Sequence, residues 1–392
     1  MRAMLIGKDP RFFLASAPAQ EDTIERHVAY LHLLRTRFGA TSAIDVISYA
    51  PRGMHALARE IVPGLTAMPT NSRHRLTFGL DAFRLAYRRA RAHRPDVITA
   101  QTPYEEGLVG LLVAWRLGIP FLAQLHGELF SVDWHREHWL NGLKTRVACW
   151  VLRRARHVRV VSEADRAELR ARLSIPAERI SVCPVGTSFR AVPPVSRDAA
   201  KRAIDPALGG RPVVLFVGRF VAQKDLALWL RVAARVMRTD HGVRFMLVGD
   251  GPLLATAKAL AAGSGLADRA TFTGPVNYAD LPRYFAAADV LFVSSRYEPF
   301  GRVILEAFLS GVPVVSTDCK GPRDLISGGE DGYIAAADDE AGLSDAILRL
   351  VRDPAERERM GAAGRAKAET RFGLPALAGR WIECWRTAAG RA

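Results

Sequence analysis

Short apolar runs alternate with longer amphipathic stretches along the whole chain. Residues 3–6, 43–48, 97–100, 121–124, 158–161 and 180–182 form one series of such runs, and 213–216, 245–248, 270–273, 290–293 and 312–316 form a second. Runs of this length, rich in Val, Ile and Phe and bounded by glycine or proline, predict buried strands, and the stretches between them have helical spacing. Strand–helix alternation predicts a parallel α/β sheet, here twice over. Val192-Pro193-Pro194-Val195 separates the two series and reads as a linker. The final stretch, 375–387, places Leu377, Trp381, Ile382 and Trp385 at helical spacing and predicts a helix with one apolar face.

A chain of 392 residues accommodates two domains of ordinary size, 1–190 and 196–373. No apolar run approaches the roughly 18 residues that a membrane span needs, and the start of the chain reads as a first strand rather than a signal peptide. Cys149, Cys183, Cys319 and Cys384 show no paired spacing and read as reduced thiols of a cytoplasmic protein. The net charge of +15 is uneven: residues 1–190 carry 28 Lys and Arg against 17 Asp and Glu, the remainder 27 against 23. Such asymmetry predicts that the N-terminal half meets something anionic: nucleic acid, a membrane face or a phosphorylated acceptor. Compositional bias toward surface arginine is the other reading. Within this half, 73–94 sets Arg84, Arg88, Arg89, Arg91 and Arg94 among Leu80, Phe83, Leu85 and Tyr87. Either this is a basic helix laid on an anionic membrane surface, or its apolar face packs on the domain and the arginines are solvated.

The chemistry concentrates in the second half. After the predicted strand 290–293, the loop Ser294-Ser295-Arg296-Tyr297-Glu298-Pro299-Phe300-Gly301 leads into a predicted helix, 303–310, that carries Glu306. Two carboxylates at the carboxyl end of a strand can accept hydrogen bonds from sugar hydroxyls, and the helix start between them offers amides to a phosphate. The strand at 213–216 runs into Val217-Gly218-Arg219-Phe220, with Lys224 shortly after. The glycine allows close approach of backbone to a ligand, and an Arg and a Lys there can hold a diphosphate. Gly249-Asp250-Gly251 and Thr273-Gly274-Pro275-Val276 follow two further strands. For Gly249, turn formation and packing explain the residue at least as well as ligand contact does. No Gly-x-Gly-x-x-Gly follows the first strand and no Asp-x-Asp ends one, so neither a dinucleotide fingerprint nor a metal-held diphosphate is indicated.

The Glu298/Glu306 segment resembles the Glu-x7-Glu motif of the retaining glycosyltransferases of family 4. The resemblance spans nearly the whole chain, firmly from about 212 to 334 and loosely over the first 120 residues. It implies the GT-B fold: two Rossmann-like, doubly wound α/β domains facing across a cleft, with the C-terminal helix, 374–392, packing back on the first. It implies a hexosyltransferase that takes sugar from a nucleoside-diphosphate sugar, UDP-linked before GDP-linked, and passes it to a glycan or lipid-linked acceptor in envelope or exopolysaccharide synthesis. Glu298 would hold the donor sugar, Glu306 the ribose, and Arg219 and Lys224 the leaving diphosphate. Gly218, Gly249, Val276, Phe300 and Gly301 would complete the donor site. Neither a metal nor a cofactor is expected.

On the acceptor side, Leu125-His126-Gly127 ends a buried strand, and the resemblance places His126 beside the donor sugar. Two departures stand out. Glu25-Arg26-His27-Val28 is kept, but the Gly-Gly turn many members carry before it is replaced by Ser16-Ala17-Pro18-Ala19-Gln20, and Pro184-Val185-Gly186-Thr187-Ser188 lacks the usual polar side chains. His135 and His138 have a spacing only moderately suited to a metal and no third ligand, so that stretch reads as a polar acceptor-side segment. A sugar-nucleotide epimerase of the same fold and a non-enzymatic, basic nucleic-acid- or anion-binding protein are the rival readings. The expected location is the cytoplasm, with peripheral attachment to the inner face of the cell membrane.

Overall fold

The computed structural model describes residues 1–13, 22–192 and 196–391. The turn at 16–20 and most of the expected linker, 193–195, lie outside the described residues. The chain divides into two compact units, Met1–Ser188 with Leu374–Ala392, and Phe189–Gly373.

Among its described residues unit 1 holds eight strands: β1 (Arg2–Gly7), β2 (Ala43–Ser48), β3 (Arg59–Val62), β4 (Leu65–Pro69), β5 (Val97–Ala100), β6 (Phe121–Leu125), β7 (His157–Val160) and β8 (Ile180–Val182). They lie in the order β3-β4-β2-β1-β5-β6-β7-β8, parallel except for the antiparallel β3–β4 pair. Helices α1 (Asp22–Phe38), α2 (Phe78–Ala92), α3 (Glu105–Leu117), α4 (Val132–Glu137), α5 (Asn141–Arg154) and α6 (Glu163–Leu173) connect them. Alternation sorts β1 between two cores. Met4 and Ile6 pack under α2, α3 and α5, whereas Ala3 and Leu5 face α1.

Unit 2 holds β9 (Val213–Val217), β10 (Arg244–Val248), β11 (Ala270–Gly274), β12 (Val290–Val293), β13 (Val314–Thr317) and β14 (Gly332–Ala335), all parallel, in the order β11-β10-β9-β12-β13-β14. Its helices are α7 (Arg197–Ile204), α8 (Leu226–Thr239), α9 (Leu254–Gly263), α10 (Leu281–Ala286), α11 (Arg302–Leu309), α12 (Lys320–Leu325), α13 (Glu340–Arg352) and α14 (Pro354–Phe372). The last helix, α15 (Leu374–Ala389), belongs to unit 1, where it lies beside α1 and buries Trp381, Ile382 and Trp385 against Tyr30 and the sheet.

Both parallel α/β sheets are as the apolar runs predict. Three strands differ. β3 and β4 form a hairpin about Gly64, at φ +82. β3 is an exposed edge carrying Arg59 and Glu60, so no apolar run marks it. β14 begins inside what reads as a glycine loop. Gly332 is required there because a Cβ would sit 2.2 Å from the Val314 carbonyl oxygen. The apolar face of 73–94 also resolves: Ala82, Ala86 and Ala90 are fully buried on α2, and Phe83, Leu85 and Tyr87 pack at the edge of the core. Its arginines, apart from Arg89 on Asp45, stand outside. The four cysteines are free, but the fold sets Cys183 against Cys384, thiol to thiol, which their distance in sequence conceals. Among the described residues, no helix is long and apolar enough to cross a membrane.

Candidate active site

In unit 2 the predicted residues gather at the carboxyl ends of β9 and β12. From β9 the chain moves outward to β10 and β11 and then returns to the other side of β9 as β12. The two loops therefore flank a topological switch point, where open α/β sheets bind ligands. They are laced together: the Arg296 amide donates to Gln223 O (2.9 Å), Gln223 Nε2 to Tyr297 O (3.1 Å), and Ser294 Oγ to Lys224 O (2.7 Å). Across them Lys224 Nζ meets Glu298 Oε2 at 2.5 Å, with both side chains largely buried. An ammonium has three donors and Glu298 occupies one, so Lys224 stays poised for an anion. Arg219, in the same loop, is exposed.

The glycines answer to packing. A Cβ on Gly249, at φ +134, would lie 2.0 Å from Gly218 O, so the loops after β9 and β10 touch backbone to backbone. Gly301, at φ +91, is the N-cap of α11, and among the described residues no side chain caps that helix. The first turn of an uncapped helix presents amides suited to an anion. Phe300 packs its ring on Phe372 (6.3 Å) and can offer a ligand backbone only. Val276 is half-buried just after β11.

Glu306 sits in the second turn of α11 and is 5% exposed. Its Oε1 accepts from Tyr278 OH (3.2 Å) and lies 3.7 Å from Arg302 Nη2, which also donates to Tyr278 OH (3.2 Å). Helical side chains lean toward the N-terminus, and this one is held there at its carboxylate. Arg302 was readable as an i,i+4 partner. Tyr278, from the far side of the sheet, left no sequence signal.

In unit 1 a cavity of about 260 Å³ opens at the carboxyl ends of β1, β5, β6 and β7, among Asp9, Arg26, Gln101, His126, Arg159 and Trp381. His126 Nε2 lies 2.7 Å from Gln124 Oε1 and 3.0 Å from Arg159 Nη1. Burial, then the charges of Arg159 and Arg26, hold its pKa well below the ordinary range, so the ring is neutral. A general base works best with a pKa near the operating pH, and this imidazole is far from it. Sequence reasoning passed over Arg159, although an arginine inside the apolar run of β7 was the available signal. It is 1% exposed, donates to Cys183 O (2.7 Å) and Pro184 O (2.9 Å), and stacks on Trp381 at 4.3 Å. His27 is a core residue between the rings of Phe12 and Tyr30. His135 bonds Ser131 O and Thr145 Oγ1, and His138 stacks on Trp139.

Each unit matches a family model. Residues 25–189 match "Glycosyltransferase Family 4" and 198–367 match "Glycosyl transferases group 1". The α-D-kanosaminyltransferase of Streptomyces kanamyceticus is 30% identical over 266 residues, which cover 66% of this chain and 68% of that protein. The chain belongs to the family 4 (group 1) glycosyltransferases. A lipopolysaccharide core biosynthesis glycosyltransferase of Rhizobium meliloti is 33% identical over 197 residues, 50% of this chain and 54% of that one. Sucrose-phosphate synthase from Thermosynechococcus elongatus has the same fold, with a TM-score of 0.79 at 24% identity over 98% of both chains. This glycosyltransferase thus has the GT-B fold and transfers sugar from a sugar nucleotide. The epimerase and the non-enzymatic readings give way to it.

Proposed function

We propose that this glycosyltransferase is a retaining, metal-independent hexosyltransferase with no cofactor beyond its donor, a UDP-sugar or, second to it, a GDP-sugar. Its acceptor is a glycan or lipid-linked chain of envelope or exopolysaccharide synthesis, reached from the cytoplasmic face of the membrane. The observation that carries the reading is the Lys224–Glu298 pair at the β9/β12 switch point, with exposed Arg219 in the same loop. Lys224 and Arg219 stabilise the charge that grows on the departing diphosphate, beside the uncapped start of α11. Glu298 keeps Lys224 in place and accepts from donor-sugar hydroxyls, Glu306 accepts from the ribose, and the backbone at Gly249, Val276 and Gly301 lines the nucleotide. On retention, the acceptor hydroxyl attacks from the leaving-group face and passes its proton toward the departing phosphate. His126 is a neutral hydrogen-bond partner for a sugar hydroxyl. The choice of envelope glycans follows the lipopolysaccharide relative.

Lys224→Ala and Arg219→Ala test this. Each should lower kcat by on the order of 100-fold, with a smaller change in donor KM, because removing one donor to transition-state charge costs roughly 2.7 kcal/mol or more. Added Mg²⁺ should not restore the rate, and the transferred sugar should keep its anomeric configuration by NMR. Full turnover in Lys224→Ala, or abolition of wild-type activity by a chelator, overturns the assignment.

A further inference from the structure

Two polar side chains stand where the interior of the unit 1 sheet calls for apolar ones. Gln124 on β6 and Arg159 on β7 are register partners in adjacent parallel strands, and each is 1% exposed. Leu122, two residues before Gln124, faces the core that holds Trp381, and alternation puts Gln124 on the same face. Polar groups buried there cost free energy unless hydrogen bonds satisfy them. Gln124 Nε2 donates to Thr99 Oγ1 on β5 (2.9 Å), and Arg159 Nη1 donates to Gln124 Oε1 (3.2 Å). The other guanidinium contacts go to Cys183 O, Pro184 O and the Trp381 ring. What remains in reach of Gln124 Oε1 is the ring of His126, on the wall of the unit 1 cavity.

The sense of each bond follows from one group that can only donate. A guanidinium has no acceptor, so the Gln124 atom next to Arg159 Nη1 is the amide oxygen, and the amide nitrogen is the one that faces Thr99. His126 Nε2 lies 2.7 Å from that oxygen. With Nε2 bare, two lone pairs would face each other at this distance. With a proton on it, the contact is a short N–H···O bond, and the oxygen spends its two lone pairs on His126 and Arg159. Arg159 Nη1 also lies 3.0 Å from Nε2, but it has the amide oxygen to donate to. The proton therefore belongs on Nε2. The ring is neutral, through burial and then the charges of Arg159 and Arg26, so Nδ1 carries the lone pair. Among the described residues Nδ1 has no hydrogen-bond partner. Of the other titratable groups on the cavity wall, Asp9 is taken by Arg11 and Thr23, His27 by Thr23 O, and Tyr30 is a buried phenol.

We propose that Gln124 and Arg159 are positioning residues for the transfer reaction: they fix His126 as its Nε2–H tautomer, so that Nδ1 meets the substrate as a hydrogen-bond acceptor only. The ring then takes a hydroxyl that donates to it. It rejects a carboxylate, a phosphate or an ether oxygen at that point, because none of these has a proton to give. A site built to pair one polar group discriminates strongly against a partner of the wrong sense, since its own group is then left unpaired. The inference rests on the reading of His126 as a partner of a sugar hydroxyl, and adds the direction of that bond and the two side chains that set it.

The test reads the ring directly. The wild type is labelled with ¹⁵N-histidine and its ring nitrogens are observed by two-bond ¹H–¹⁵N correlation, the His126 signals being those that His126→Gln removes. At about pH 8 Nε2 shows a pyrrole-type shift and Nδ1 a pyridine-type shift, and the ring does not titrate near the ordinary histidine value of about 6.5. Gln124→Leu removes the amide oxygen. Nε2 then accepts from Arg159 Nη1, the proton moves to Nδ1, and the two shifts exchange. Gln124→Glu puts an acceptor back in the same place and keeps the proton on Nε2. Arg159→Met removes one of the two charges that lower the pKa of the ring, so its titration moves up toward the ordinary range. With UDP-glucose as probe, kcat/KM for hydrolysis falls about tenfold in Gln124→Leu, the order of one misdirected hydrogen bond, and recovers in Gln124→Glu. Side chains that only filled the core would move the melting midpoint and leave the ring shifts alone. A wild-type ring protonated on Nδ1, or one that titrates near 6.5, overturns the assignment without any variant having to fold. So does a folded Gln124→Leu protein whose ring shifts match the wild type. A wild type that leaves UDP-glucose untouched counts against the donor reading alone, because the ring shifts are read without substrate.

Discussion

Glu306 is a buried carboxylate whose partners are a phenol and a guanidinium. These contacts hold it in place without a ligand, and ribose hydroxyls would meet an acceptor that is already oriented. Glu306→Ala should weaken nucleotide binding by roughly 1.5–3 kcal/mol, the worth of a hydrogen bond to a charged group, and Tyr278→Phe by about 0.5–1.5 kcal/mol. Titration calorimetry with the donor nucleotide measures both. Unchanged affinity in a folded Glu306→Ala protein would remove the ribose from that carboxylate. Glu298 and Glu306 were visible as a spaced pair in one segment. The residues that position them, Lys224 and Tyr278, come from other loops, and only the order of strands in the sheet brings these together.

At the level of elements, the site depends on how closely loops can approach. The loop bearing Arg219 and the loop after β10 meet at Gly218 and Gly249, and the Gly218 carbonyl leaves no room for a Cβ on Gly249. Gly249→Ala should cost about 1–3 kcal/mol through overpacking and a disfavoured backbone conformation together. Gly210→Ala, at φ +67 with nothing within 4 Å of its Cβ, carries the backbone term alone and should cost less. Urea midpoints of the two variants provide the comparison, and equal midpoints would mean the loops part freely. The ordinary strands and helices follow from apolar periodicity, since a buried central strand has to be apolar. β3 and β14 escaped because an edge strand can be charged and a strand can start on a glycine that a neighbour's carbonyl demands.

For the whole molecule, acid is the sensitive direction. His27 and His157 are buried in unit 1 with pKa values lowered from 6.5 to about 4, by desolvation first and then by the charges of Arg26 and Arg179 respectively, opposed at His27 by its bond to Thr23 O. His126 is lowered in the same direction. The unfolded chain binds these protons below about 6.5 and the folded chain does not, so stability is full above that pH and falls as pH drops toward about 4. Each of the first two contributes up to about 3 kcal/mol at neutral pH, at 1.36 kcal/mol per pKa unit. Melting midpoints should decline across this window, and His27→Gln should flatten part of the slope. A midpoint constant from pH 7 to 4.5 would contradict the buried neutral rings. What the sequence determined by itself was local: strand periodicity, the two sheets, the acidic pair and the basic loop, because each follows from spacing within one segment. What only the tertiary structure decided was long-range: the Lys224–Glu298 contact, the Arg159–Trp381 stack and the pairing of Cys183 with Cys384. Those depend on strand order and helix direction, which bring together residues that no spacing along the chain relates.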